Sequence, residues 1–78
     1  MSKSLFTERE FEIFKLVAIG KTNKEIGEEL VITIHTVKAH IASILRKISG
    51  KNRLDIIFWA LKNGEITVDK NKGVLEKF

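Results

Sequence analysis

Apolar positions recur at helical spacing through most of this chain, and polar capping residues mark where each run begins. Ile13, Phe14, Leu16 and Val17 place an apolar stripe on a first helix expected over Glu8 to Ile19. Thr7-Glu8-Arg9-Glu10 is a capping box, in which the threonine hydroxyl accepts from the N–H three residues on and the glutamate reaches back to the threonine N–H. Phe6 and Phe11 stand at the spacing of a hydrophobic staple, and Gly20 follows as a stop. Thr22-Asn23-Lys24-Glu25 repeats the box and opens a short second helix with Ile26 and Leu30 on one side. Gly27 inside it costs about 0.5–1 kcal/mol against alanine, so it is either merely tolerated or compensated by close approach of another helix.

Val31-Ile32-Thr33 reads as a turn, with Thr33 the N-cap of a third helix over about Ile34 to Ile48. Ile34, Val37, Ile41, Ile44, Leu45 and Ile48 define one face of that helix. Ser49-Gly50-Lys51 breaks it, and Asn52, with Asp55 three residues on, caps a fourth helix that Gly64 ends. Beyond Gly64 the signal fades, with Ile66, Val68, Val74, Leu75 and Phe78 scattered among polar residues. The pattern predicts an all-α fold: a four-helix domain over residues 1–64, and a short C-terminal tail over residues 65–78, docked or flexible.

Composition narrows the class. At 78 residues there is room for one small domain, and 44% hydrophobic residues suffice for one core. The absence of cysteine removes disulfides, thiolate metal sites and a cysteine nucleophile, and fits a reducing compartment such as the cytoplasm. No apolar run approaches the ~18 residues of a membrane span, and Met1-Ser2-Lys3-Ser4 is not followed by the apolar stretch of a signal peptide.

Charge changes the picture more. The net +4 lies entirely in residues 21–53, where seven bases face three acids, and no acid occurs between Glu29 and Asp55. Such a block fits the footprint of a polyanion, and it fits an ordinary solvated face equally well. The third helix separates the two. Its second and third helices and the intervening turn have the lengths of a helix-turn-helix, in which the second of the pair enters the major groove of DNA. With the isoleucine stripe inward, the opposite face carries His35, Ala39, Ala42, Ser43 and Arg46, flanked by Thr36, Lys38, His40 and Lys47. Short side chains on the axis let the backbone approach base edges, and longer donors stand where phosphates would lie. Lysine reaches guanine acceptors and an alanine methyl meets the thymine methyl. Thr36 and Ser43 can hydrogen-bond phosphates.

Four blocks in this order resemble the LuxR-type (GerE-like) DNA-binding domain: Phe6-Thr7-Glu8-Arg9-Glu10, Gly20-Lys21-Thr22-Asn23-Lys24-Glu25-Ile26, Thr36-Val37-Lys38-Ala39-His40 and Lys51-Asn52-Arg53. The resemblance covers about residues 5–64, and the chain's shortness fits a GerE-like stand-alone regulator or the C-terminal domain of a longer one. It implies a transcription regulator that binds double-stranded promoter DNA as a homodimer, with the third helix in the groove and the fourth at the dimer contact. By position it implies Lys38, Ala39 and Ala42 at bases. It puts Asn23, Lys24, Thr33, Thr36, His40 and Lys47 on or near the DNA backbone, and Ser43 and Arg46 join them from the face analysis. Ile34-His35 replaces a frequent Pro-Glu, Gly27 a usual alanine and Asp55-Ile56 a usual Glu-Ala, while Ala42 is short where some members carry a polar reader.

The fourth helix carries more apolar surface than one face can bury. Ile56, Ile57, Ala60 and Leu61 form a stripe, with Leu54, Phe58 and Trp59 outside it. The excess is either a self-association surface built from Leu54, Phe58, Trp59 and Leu61, or a seat for Ile66, Val68 or Leu75 of the tail, and the resemblance favours the dimer. A rival reading makes that helix a protein-interaction module for a partner such as an RNA polymerase subunit. Catalysis and cofactor binding find no support: His35 and His40 diverge on their helix, and the glutamate clusters are explained by capping and helix dipoles. No small-molecule site stands out.

Overall fold

The computed structural model describes residues 5–78, so Met1 to Ser4 lie outside the described residues. Four helices are delimited among the described residues: α1 Glu8–Ala18, α2 Asn23–Leu30, α3 Ile34–Ile48 and α4 Arg53–Lys62. A two-stranded antiparallel hairpin follows, β1 Ile66–Asp69 and β2 Gly73–Glu76. The domain is mainly α, as its periodicity predicts.

The helix starts form as the capping residues dictate. Thr7, Thr22 and Asn52 cap α1, α2 and α4, and each donates its own backbone N–H in return to the carboxylate of Glu10, Glu25 or Asp55. Thr33 caps α3 by accepting from the Thr36 N–H at 3.1 Å. Val31 closes α2 in the left-handed region at φ 56° and is 87% exposed. Glycine is the usual residue for such a conformation, and a β-branched side chain there stores strain. One further turn then leads directly into α3. Gly27 faces that turn. A Cβ at this position would stand 2.8 Å from the Ile32 carbonyl oxygen, so the compensation for glycine is approach by turn backbone, not by a helix.

α1 packs against α3 and α4, and α2 packs against α3. Phe14, Ile13, Val17, Ile26, Val37, Ile44 and Ile56 are fully enclosed between them. An aromatic cluster closes one end, with Phe6 and Phe14 centroids 5.1 Å apart and Phe14 and Trp59 at 5.6 Å. Trp59 therefore belongs to the core margin, not to a free outer face. The third-helix stripe is narrower than its spacing suggests: Val37, Ile41 and Ile44 are buried, whereas Ile34 at the helix start is exposed.

The tail differs most from expectation. It folds into the hairpin, with Ile66 buried in the main core and Phe78 edge-on to Phe11 and Phe14 at 6.2 and 6.0 Å. Ile66 pairs with Glu76 and Asp69 with Gly73 across the two strands. The Asp69 carboxylate accepts from the N–H groups of Asn71 and Lys72 at 2.8 and 2.9 Å, and Gly73 takes φ 80°. That is short-range turn chemistry, and it reverses the chain. Val68 stays on the exposed side of the strand pair. Among the described residues no helix is long and apolar enough to cross a membrane.

Candidate nucleic-acid interface

α3 is amphipathic because its inward positions are branched aliphatics at helical period and its outward ones are short or basic. Lys38, Ala39 and Ala42, the expected base readers, are all exposed along one side of the helix. His35 and Arg46 are exposed with them, and Thr36 and His40 are half-buried at the flanks. Thr33 and Thr36 share a hydroxyl contact of 3.0 Å at the helix start, leaving both at the mouth of the helix-turn-helix. The first turn of α3 holds no acid and its last turn holds Arg46 and Lys47. Lys24 is exposed on the first turn of α2.

Two of the expected phosphate contacts, Ser43 and Lys47, also have a partner within the domain. The Ser43 hydroxyl donates to Glu10 Oε2 and the Lys47 ammonium to Glu10 Oε1, both at 2.5 Å. Glu10 is a buried carboxylate on α1, and its Oε1 also accepts from the Thr7 N–H at 2.9 Å. Burial works against the charge on Glu10. Hydrogen bonds from Lys47, Ser43 and the Thr7 backbone overcome it and pull the carboxyl down to about 2. One side chain thus starts α1 and ties it to the outer half of α3. Local spacing announced only the first of these tasks, because the partners lie 33 and 37 residues away.

Arg53 is the other residue missed by sequence reasoning. Its Nη1 donates to Asn23 Oδ1 at 2.6 Å, and its Nη2 donates to the Lys21 carbonyl. Asn23 is half-buried at the first position of α2, so this contact joins the starts of α2 and α4. The Lys51-Asn52-Arg53 block marked the position in the sequence without disclosing the partner.

α4 presents Leu54 and Phe58, both more than half exposed, and Leu61 at 37%. Of the expected self-association residues these three remain outward, while the Trp59 ring turns edge-on to Phe6 at 5.7 Å. Among the described residues no group of three or more histidine, cysteine or carboxylate side chains converges as a metal site would require.

The pattern described as "Bacterial regulatory proteins, luxR family" matches residues 4–60. The chain belongs to the LuxR family. Over 57 residues it is 56% identical to the transcriptional regulatory protein LiaR of Bacillus subtilis, covering 73% of this chain and 27% of that protein. Over 65 residues it is 42% identical to the spore germination protein GerE of Bacillus subtilis, covering 83% of this chain and 88% of that one. The response regulator protein VraR of Staphylococcus aureus is 40% identical over 62 residues, 80% of this chain and 30% of VraR. The chain thus spans about a quarter to a third of LiaR and VraR, and most of GerE. The hairpin lies beyond the matched family region.

Proposed function

We propose that this LuxR-family domain regulates transcription in the bacterial cytoplasm by binding duplex promoter DNA, with α3 in the major groove. The observation that carries the reading is the outer side of α3. It combines short side chains at Ala39 and Ala42 with basic ones at Lys38 and Arg46, on a helix with no acidic residue of its own. Lys38, Ala39 and Ala42 meet base edges. Asn23, Lys24, Thr33, Thr36, His40 and Arg46 hold the sugar-phosphate backbone and set the register. Ser43 and Lys47 act chiefly through Glu10, seating the helix on α1. No step of this function is catalytic.

Leu54, Phe58 and Leu61 support a two-fold dimer, because an exposed phenylalanine and leucine on adjoining turns of one helix leave an apolar patch open. A two-fold pair would read two inverted half-sites set by the protein's own symmetry. The same patch is what a polymerase subunit would meet under the rival interaction-module reading.

Fluorescence anisotropy of a labelled random duplex, titrated at low and moderate salt, separates these readings. DNA binding predicts affinity that falls log-linearly with salt, by about a thousandfold between roughly 50 and 200 mM if some six phosphates are neutralised. A folded protein that fails to bind at the lower salt overturns the DNA reading and favours the interaction module.

A further inference from the structure

We infer that Arg53 is a positioning residue for DNA binding, orienting the Asn23 side-chain amide so that its NH2 group is presented to a backbone phosphate. The inference rests on the DNA-binding reading above and assigns a role to a residue that reading leaves unused. A guanidinium has donors and no acceptor, so the atom of Asn23 facing Arg53 must be the carbonyl oxygen. The 2.6 Å contact from Nη1 to Oδ1 therefore fixes which way the amide lies. With its oxygen committed to Arg53, the two N–H donors of Asn23 point to the other side.

The second arm of the fork makes the orientation rigid. Arg53 Nη2 donates to the Lys21 carbonyl, so one planar group spans both the turn before α2 and the first residue of α2. Both acceptors are neutral. Arg53 belongs neither to the Arg9–Glu12 ion pair nor to the Lys47–Glu10 ion pair. Its charge is left to polarise the amide, which strengthens the N–H donors on the far side. The Thr22 cap takes the Glu25 N–H, which leaves the N–H groups of Asn23 and Lys24 at the α2 start, so a phosphate there meets donors from side chain and main chain together. Arg53 is the first residue of α4, the helix with the exposed Leu54 and Phe58, so the pin ties the helix expected to dimerise to the one that grips the backbone.

Lysine at position 53 keeps the charge but cannot span both acceptors, because it has one donor centre and no fork. Asn23→Asp keeps an oxygen for Arg53 and replaces the NH2 donor with a second acceptor. Thermal unfolding and duplex affinity would be measured for the full chain carrying Arg53→Lys, Asn23→Asp, Asn23→Ala and the Arg53→Lys/Asn23→Ala pair. Asn23→Asp should melt no lower than the unchanged protein yet bind duplex roughly tenfold or more weakly, the scale of losing a hydrogen bond to a charged group. Arg53→Lys should weaken binding severalfold in the natural background and have little further effect beside Asn23→Ala. Two results overturn the inference: Asn23→Asp binding duplex as tightly as the unchanged protein, or the Arg53→Lys penalty persisting undiminished beside Asn23→Ala. If Arg53→Lys fails to fold, the Asn23→Asp comparison still decides. An unchanged protein that binds no duplex defeats the DNA reading itself, which is a different failure.

Discussion

Lys38 is the residue on which base recognition should turn. It is exposed on the outward side of α3, next to the small Ala39, and if α3 enters the major groove as proposed, a lysine there would reach guanine O6 and N7. Lys38→Ala should cost about 1–3 kcal/mol on a preferred site and much less on random duplex. Equal losses on both, in paired anisotropy titrations, would make Lys38 a phosphate contact instead. Glu10 is the residue on which acid stability should turn. Its carboxyl is lowered in the folded state from the ordinary 4.5 to about 2, so the native protein holds fewer protons than the unfolded chain between those values. The stabilisation is complete above pH about 4.5 and is lost as pH falls towards 2. Urea unfolding across that range should show the loss, and Glu10→Gln should flatten it. An acid limb that is equally steep in Glu10→Gln would assign the effect to other carboxylates.

Among the elements, the hairpin has the strongest claim to a structural role. Ile66 is 1% exposed and sits in the same core as Phe14 and Ile56, although it lies outside the family-matched residues. Ile66→Ala should cost about 2–5 kcal/mol, the range for large-to-small changes in a closed core. That is a large share of the stability of a domain this small. Chemical denaturation with an unchanged m-value would register it. A cost below about 0.5 kcal/mol would mean that the hairpin is dispensable. The four helices could be delimited from local chemistry because each start carries its own cap within three residues. The hairpin escaped because four-residue strands give too few alternations to establish a period of two. Its one strong local signal, Asp69 followed by Gly73 at a tight turn, acquires meaning only once the strands on either side are paired.

At the scale of the whole molecule, α4 presents apolar side chains to solvent. Leu54 and Phe58 are 52% and 55% exposed, and burying both against a second copy would remove them from water. Phe58→Glu should leave the fold intact, since the ring is outside the core, and should shift sedimentation equilibrium towards the monomer mass. Identical masses for the two proteins would remove α4 from the dimer contact. Trp59 should not behave this way, because its ring is packed on Phe6 and Phe14 and its replacement would damage the fold first.

The sequence by itself determined where the helices start and stop, which side of α3 is inward, and where the positive charge lies. Each follows from interactions spanning a few residues: a cap, a period, a local count of charges. It also placed Lys38 and Ala39 each beside Ala42, because residues three or four apart on a helix share a side whatever the helix packs against. Only the tertiary structure decided what Glu10 and Arg53 do. Apart from the local Thr7 cap of Glu10, their partners are 30 or more residues distant, and no local spacing encodes which helix crosses which. It likewise decided that Ser43 and Lys47 turn to α1, that Trp59 turns inward while Phe58 does not, and that Ile66 completes the core. Those outcomes depend on how crossing helices divide limited buried space, and that division exists only once the chain has folded.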